Sequence, residues 1–308
     1  AYVIYTSGTT GLPKGSVIRQ RSVMRVVRHS SFYEAGPQDV FLLMSDYSFD
    51  GSVYDMFGAL LNGSTLVIVD KADVLELDRL GAAIRDNGVT SFFITAAMFN
   101  ALIDSCPQVL GSVRCLLFGG EAASPVHVKR AFDILGPGRI ANGYGPTETT
   151  VFAAVHVVHD VVERDAIPIG RPINDTSLWV LDADRRLAPI GASGELFIGG
   201  GGLADGYLHL PELTDERFVT SPDVPGERLY RTGDLGFYRP GGEIEILGRL
   251  DDQIKIRGHR IELGEVESVL VEHEAVAQAA VVAIGHGAQR RLHAFVVPAD
   301  VSMDDPLR

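Results

Sequence analysis

The sequence predicts an α/β fold: a parallel-sheet α/β core with an added β-rich subdomain and a small C-terminal α+β domain. Three observations predict it. Between residues 1 and about 145, short apolar runs such as SFFIT and VRCLLFGG alternate with stretches of helical period. From about 150 to 248 the helical period vanishes, and strand-like runs follow one another between Gly, Pro and Asp turns. After residue 249 a charged run leads into one helical stretch and two more strand patterns. Repeated strand–helix order implies parallel strands with helices on the sheet faces, and uninterrupted strands imply a barrel or sheet packed on that core. The implied divisions are residues 1–149, 150–248 and 249–308.

Taken in order, AYVIYT reads as a strand, followed by a glycine-rich loop and a helix from about Ser16 to Tyr33. VFLLMS, TLVIV, SFFIT and VRCLLFGG are strands. Their helices run through SVYDMFGALLNG, around Leu75 to Asn87, through AAMFNALID and through PVHVKRAFDIL. In such sheets ligands bind at the carboxyl ends of strands. Three polar, glycine-rich loops fall there: residues 6–15, FGGEAASP and NGYGPTE. TVFAAVHVV, TSLWVLD, GELFIGG, RLYRTGDLGFY and GEIEIL form the β-rich part. GRLDDQIKIRGHR reads as a charged, linker-like run, LGEVESVLVEH as a helix, and AQAAVVAIG and RLHAFVVP as strands.

Twenty-seven basic and forty acidic residues give a net charge of −13. That argues against a general nucleic-acid or membrane-surface binder, which needs a basic face. No apolar run approaches the roughly 20 residues of a membrane span. Two cysteines, Cys106 and Cys115, make neither a disulfide framework nor a metal site, and point to a reducing, cytoplasmic setting. No signal segment leads the chain, and strand character from the first residues suggests a fragment whose true N-terminus lies upstream.

Several motifs carry chemistry. YTSGTTGLPKG, residues 5–15, sets glycines, hydroxyls and one lysine in a single loop, which suits an anion. It misses the Walker pattern, because Pro13 stands at the second glycine and Gly15 follows Lys14. Taken alone, a surface linker is its plainer reading. In NGYGPTE, Tyr144 and Asn142 offer an aromatic face and an amide to a purine, Thr147 a donor to phosphate, and Glu148 a hard carboxylate. The competing reading is a simple turn. Asp234 in YRTGDL suits two ribose hydroxyls, or else an Asx turn. Asp50 in FDGSVYDMF is either a helix cap or a buried carboxylate awaiting an ammonium. GELFIGGGGLADGYL holds a GxGxxA frame, but Gly206 and Pro211 follow where a helix is required, so the dinucleotide reading fails. Arg249, Asp251, Lys255, Arg257 and Arg260 mark either a solvated edge or a hinge with charged groups that face a site.

In their joint order, YTSGTTGLPKG, FDGS, NGYGPTE, GELFIGGGGLADGYL, YRTGDL and GRLDDQIKIRGHRIELGEVE resemble the adenylate-forming superfamily, and within it the amino-acid adenylation domains of non-ribosomal peptide synthetases. The resemblance spans essentially the whole chain. It implies activation of a carboxylate by ATP to an acyl-adenylate and pyrophosphate, then transfer to the phosphopantetheine thiol of a carrier protein. It assigns Thr6, Ser7, Gly8, Thr9, Thr10, Gly11 and Lys14 to the phosphates. Asn142 and Tyr144 are assigned to adenine, Thr147 to the α-phosphate region, Glu148 to Mg²⁺, and Asp234 and Arg249 to the ribose. Asp251 becomes the hinge, and Lys255 lies on the face that serves thiolation. Lys14, Thr147, Glu148 and Lys255 are the catalytic set. The implied partners are an amino acid, a peptidyl carrier protein and neighbouring synthetase domains such as condensation, with no nucleic acid and no membrane.

Asp50 would pair with the substrate ammonium. The pocket positions would be Gly51, Tyr54, Phe93, Leu117, Gly119, Gly143, Val151 and Phe152. None is charged, which favours a branched aliphatic amino acid, with three glycines making room. The chain departs from the family's pattern at Gln20, where His is usual, and at Asp205, where Arg is usual. The family's catalytic lysine falls beyond Arg308, so the 308 residues alone are expected to adenylate weakly or not at all. An acyl- or aryl-CoA ligase of the same superfamily and a non-catalytic nucleotide-binding segment are the alternatives.

Overall fold

The computed structural model describes residues 1–8, 12–161, 166–251, 253–256, 258–285 and 290–299. The chain opens with two paired strands, β1 (Tyr2–Thr6) and β2 (Lys14–Ile18), and then α1 (Gln20–Val27). The core follows as β3 (Val40–Leu43), α2 (Gly51–Leu60), β4 (Thr65–Ile68), α3 (Lys71–Leu75), α4 (Leu77–Asp86), β5 (Ser91–Thr95), α5 (Ala96–Ser105), β6 (Cys115–Gly119), α6 (Pro125–Leu135) and β7 (Ile140–Tyr144). Then come β8 (Ala154–Val157), β9 (Arg171–Pro172), β10 (Thr176–Leu181), β11 (Gly194–Gly200), α7 (Pro211–Arg217), β12 (Phe218–Ser221), β13 (Val224–Tyr238) and β14 (Ile244–Arg249). The last part holds β15 (Ile254–Ile256), β16 (His259–Ile261), α8 (Leu263–Val271), β17 (Val276–Ile284) and β18 (Arg291–Pro298).

The main sheet has the order β4-β3-β5-β6-β7-β8-β9. Its first five strands are parallel, and β8 and β9 add antiparallel at one edge. The stretch after residue 150, read from the sequence as the opening of the β-rich region, therefore pairs with the main sheet. Successive side chains of a strand point to opposite faces, and the core divides accordingly. Phe41, Phe93 and Leu117 join Val53, Tyr54 and Phe152 on one face. Leu42, Phe92, Ile94, Leu116 and Phe118 join residues of α4, α5 and α6 on the other. The face that carries α2 and Phe93 is the one that builds the site.

The β-rich part is a second sheet, order β10-β11-β13-β12, with β14 paired on β13. Its register sets Asp234 directly opposite Arg249. Two expectations fail locally. The helix expected from about Ser16 is β2 up to Ile18, because all five residues of KGSVI pair with β1, and α1 starts only at Gln20. The glycine-rich loop is thus a hairpin loop, and β1 lies outside the parallel sheet. GRLDDQIKIRGHR is no plain linker: it contains the hairpin β15–β16, with Lys255 opposite Arg260.

Candidate active site

The carboxyl ends of β6 and β7, the end of β1, the start of α2, the β13–β14 pair and the β15–β16 hairpin meet around a cavity of about 300 Å³. A second cavity of about 640 Å³ shares part of its wall, including Gly120, Tyr144, Asp234, Arg249 and Lys255. The smaller space is bounded by Asp50, Gly51, Phe93, Gly143, Val151 and Phe152, and by Thr6, Ser7 and Thr147 on its polar side. The larger is bounded by Asn142, Ala122, Ile167, Ile169 and Ile246.

Asp50 precedes α2 but does not cap it: its side chain accepts no capping hydrogen bond. The residue is 7% exposed, and no lysine or arginine lies within ion-pair distance among the described residues. Burial pushes its carboxyl up to about 6, opposed in part by Thr147 and the charge of Lys255. A buried carboxylate of this kind is costly until a cation reaches it.

The expected pocket positions divide. Asp50, Gly51, Phe93, Gly143, Val151 and Phe152 line the smaller cavity, whereas Tyr54, Leu117 and Gly119 do not. Tyr54 is packed away behind the wall, with its hydroxyl 3.0 Å from Ser91 Oγ. The glycines do not leave free room. A Cβ at Gly51 would lie 2.7 Å from the Phe93 ring, one at Gly143 2.8 Å from the Phe152 ring, and one at Gly119 2.1 Å from the Gly143 carbonyl. Gly51 and Gly143 admit the two aromatic rings and Gly119 lets the backbone of the next strand approach. The rings of Phe93 and Phe152 pack at 5.4 Å between centroids.

On the polar wall, Tyr144 donates its hydroxyl to Asp234 Oδ2. Arg249 donates to Asp234 Oδ1 at 2.6 Å and forks onto both oxygens of Asp251 at 2.6 and 2.8 Å. The expected ribose pair and hinge are therefore one network, held by adjacent strands. Asn142 donates one amide N–H to the Pro168 carbonyl at 2.9 Å, which leaves its other N–H and its oxygen for a ligand. Lys255 lines both cavities, and burial lowers its ammonium's pKa against the pull of Asp234.

Beneath the cavity lies a second charged cluster. Glu148 is fully buried and accepts from the Tyr207 hydroxyl at 2.7 Å and from Arg260 at 3.0 and 3.1 Å, with Lys14 Nζ at 3.8 Å. Burial would raise Glu148, but Arg260 and then Lys14 and Tyr207 overcome it and hold the carboxyl at about 2. Lys14 is 1% exposed, and burial followed by Arg260 lowers it to about 8. Its ammonium sits 5.0 Å from the Tyr207 ring centre. Neither Lys14 nor Glu148 lines the cavity, contrary to expectation: Lys14 is the first residue of β2 and its side chain is buried against Glu148 and Tyr207. In this arrangement Glu148 does not fit a magnesium ion. Both of its oxygens already serve Arg260, and no cluster of three metal-ligating side chains occurs among the described residues.

Of the phosphate loop, Thr6 and Ser7 line the cavity, and Thr6 Oγ1 is buried without a partner among the described residues, as a donor awaiting an acceptor would be. Ser7 donates to the Arg260 carbonyl at 2.9 Å. Gly8 is required, since a Cβ there would lie 2.1 Å from the Leu12 carbonyl. Thr9, Thr10 and Gly11 lie outside the described residues. The departures prove remote: Gln20 is exposed, and Asp205 pairs with exposed Arg19.

Sequence reasoning missed Arg25, Phe49 and Tyr207. Arg25 of α1 is buried and donates to the carbonyls of Thr149 and Phe152, both at 2.8 Å. Those carbonyls flank Thr150 and Val151, both at φ +62°, a costly conformation for β-branched residues. Arg25 thus clamps the turn that presents Val151 and Phe152. No local pattern announces such a partner, because 124 to 127 residues separate donor and acceptors.

The AMP-binding enzyme model matches residues 1–208, and the AMP-binding enzyme C-terminal domain model matches residues 265–308. The chain belongs to the AMP-binding enzyme family. Among relatives, it is 48% identical over 277 residues to bacitracin synthase 1 of Bacillus licheniformis, a match that covers 90% of this chain and 5% of that protein. It is 46% identical over 287 residues to surfactin synthase subunit 3 of Bacillus subtilis, covering 93% of this chain and 22% of that protein. A solved structure of holo-PA1221, an NRPS protein containing adenylation and PCP domains bound to a vinylsulfonamide inhibitor, superposes with a TM-score of 0.89 at 34% identity. The superposition covers 97% of this chain and 52% of that one. The chain thus spans a twentieth of the first synthase and about half of the solved protein. Within this AMP-binding enzyme, the cavity residues from Thr6 to Phe152 fall in the first matched region, those from Thr232 to Arg260 fall between the two, and α8 falls largely in the second.

Proposed function

We propose that this AMP-binding enzyme activates an amino acid with ATP, giving aminoacyl-AMP and pyrophosphate, and passes the acyl group to a phosphopantetheine thiol on a peptidyl carrier protein in non-ribosomal peptide synthesis. The observation that carries the reading is Asp50: a buried carboxylate that neither caps its helix nor meets a basic partner among the described residues, at the edge of an apolar space. It suits the α-ammonium of an amino acid. Phe93, Val151 and Phe152 would receive the side chain, which supports an apolar, branched aliphatic substrate. One methylene changes such a fit by only about 1–3 kcal/mol.

The chemistry needs two anions to meet. The substrate carboxylate oxygen attacks the α-phosphorus, and the bond from that phosphorus to the bridging oxygen of the leaving pyrophosphate breaks. Asp50 would anchor one end of the amino acid, and the Asp234–Arg249 pair would hold the ribose beside Tyr144. Thr6, Ser7 and Thr147 would donate to the phosphates. Catalysis of this kind is positioning plus charge compensation. In the second step the thiol sulfur forms the bond to the acyl carbon while the bond to the AMP oxygen breaks. Lys255, already in the wall, would face that step. The bacitracin and surfactin synthases and the adenylation–PCP protein support the carrier and the neighbouring domains as partners. Free, buried Cys106 and Cys115 are in keeping with a cytoplasmic protein, and no described helix is long and apolar enough to cross a membrane.

The test is amino-acid-dependent ATP–pyrophosphate exchange in the intact protein that carries these residues, with Asp50→Ala as control. Exchange with a branched aliphatic amino acid, lost in the control, is expected. Exchange only with carboxylates that lack an amino group, unchanged in the control, would move the chain to the acyl- or aryl-CoA ligases. ATP binding with no exchange for any carboxylate would make it a non-catalytic nucleotide-binding segment.

A further inference from the structure

We propose that Glu195 and Thr232 are positioning residues for nucleotide recognition: they hold the bulge in β13 that aims Asp234 at the cavity. The inference rests on the reading of Asp234 as the acceptor for the ribose hydroxyls.

The pairing of β11 with β13 is broken at one place. Phe197 stands opposite Arg231 and Glu195 opposite Leu235, so Thr232, Gly233 and Asp234 together face Leu196. A regular ladder running on from Arg231 would set Gly233 opposite Glu195, two residues or about 7 Å from the observed partner Leu235. With the bulge in place, Asp234 stands opposite Arg249 of β14. A bulge beside a site re-aims a side chain in this way, and it leaves backbone groups without ladder partners. Two side chains supply the partners here. The Gly233 N–H donates to Glu195 Oε1 at 3.0 Å. Thr232 Oγ1 accepts from the Asp234 N–H at 2.9 Å and donates to the Leu196 carbonyl at 2.6 Å. One hydroxyl thus ties the aimed residue to the strand opposite. On the other side of the bulge, the Gly233 carbonyl accepts from the Leu250 N–H at 2.8 Å. Gly233 is required, since its φ is +76° and a Cβ there would lie 2.8 Å from the Arg249 guanidinium. Glu195 and Thr232 are 9% and 3% exposed, and acceptors at such burial are costly to remove. Arg231 also donates to both oxygens of Glu195, at 3.0 and 2.9 Å, but its side chain is 48% exposed. A half-exposed ion pair contributes little, so the task of Glu195 is to receive the Gly233 N–H. Glu195 lines neither cavity and therefore acts on a ligand only through Asp234.

The experiment is titration calorimetry of the intact protein with AMP and with 2′,3′-dideoxy-AMP, which lacks both ribose hydroxyls. The wild type should bind AMP about tenfold or more tightly than the dideoxy compound, because a site built to bond a hydroxyl rejects the analogue without it. Asp234→Ala should lose that preference. Glu195→Ala should cut it to about threefold or less, with dideoxy-AMP bound as in the wild type. Glu195→Gln keeps an oxygen for the Gly233 N–H and should restore the preference, and Arg231→Gln should leave it intact. Thr232→Val should lose it and Thr232→Ser should keep it. Thermal unfolding shows that each variant is folded, and the Thr232 variants carry the test should Glu195→Ala fail to fold. A Glu195→Ala protein that prefers AMP as the wild type does would overturn the positioning role. So would equal weakening of both nucleotides, the mark of general loosening, or a loss in Arg231→Gln as large as in Glu195→Ala. A wild type that binds both nucleotides equally, or an Asp234→Ala protein that keeps the preference, would remove the ribose reading and this inference with it. Discrimination that Asp234→Ala abolishes but the Glu195 and Thr232 variants leave untouched would remove this inference alone.

Discussion

Replacing Asp50 by asparagine should stabilise the free protein while abolishing its response to amino acids. Burial raises the carboxyl from its ordinary 3.8 to about 6, which at about 1.4 kcal/mol per tenfold change in proton affinity is a cost of about 3 kcal/mol. The sign follows from where the proton sits. Below pH 3.8 the group is protonated in the folded and unfolded chains alike, and nothing is lost. Between 3.8 and 6 the folded chain keeps a proton that the unfolded chain has released, so stability falls as pH rises. Above about pH 6 the loss is complete. By thermal unfolding of the intact protein, the D50N advantage should be roughly 4 °C at pH 8 for a domain of this size, and should shrink to about half at about pH 5. Amino-acid-dependent exchange should vanish in the variant. In the wild type, KM for the amino acid should be about tenfold higher at about pH 5 than at about pH 7.5, because only ionised Asp50 pairs with an ammonium. A variant no more stable than wild type at about pH 8, or one that retains exchange, would refute the reasoning.

Gly51→Ala should drive the Phe93 ring into the cavity, since the added Cβ would lie 2.7 Å from it. KM in an exchange panel should rise about tenfold for branched substrates and less for alanine; a uniform rise would argue against the ring as the pocket wall. Arg249→Lys loses the fork between Asp234 and Asp251, and KM for ATP should rise about tenfold or more with little change for the amino acid. Arg25→Ala leaves the Thr149 and Phe152 carbonyls unpaired beside a strained turn. Denaturant unfolding should show a loss of about 3 kcal/mol or more, and an unchanged midpoint would remove the clamp.

Much of this was legible in the chain because each level repeated the same message. SFFIT and CLLFG are continuous apolar runs, as strands buried on both faces must be, and they form β5 and β6 in the parallel sheet. Asp50 sits just before α2 and Tyr144 at the end of β7, as expected, whereas Asp234, expected at a strand end, lies inside β13 opposite Arg249. What stayed hidden depends on long-range partners. KGSVI reads as the start of a helix until β1 is there to pair with it. Lys14 reads as a phosphate ligand because the burial that turns it toward Glu148 and Tyr207 comes from residues more than a hundred positions away. The pocket glycines read as empty space because the rings that fill it belong to other elements. Arg260, in a stretch dense with charge, reads as a solvated edge or a group facing a site, whereas it is a buried counter-ion.

The contrast between Asp50 and Glu148 explains why neighbouring carboxylates in one site can have opposite roles. Both are buried, so burial alone would raise both. Asp50 has no paired cation among the described residues, stands near 6, and keeps its charge available to an incoming ammonium. Glu148 has Arg260, Lys14 and Tyr207, stands near 2, and is neutralised until one of them leaves. Environments that push like groups apart in this way are how a single fold separates a ligand-receiving group from an anchor. Asp50 opens on the smaller cavity, whereas Glu148 lies beneath it, covered by Arg260 of the β15–β16 hairpin.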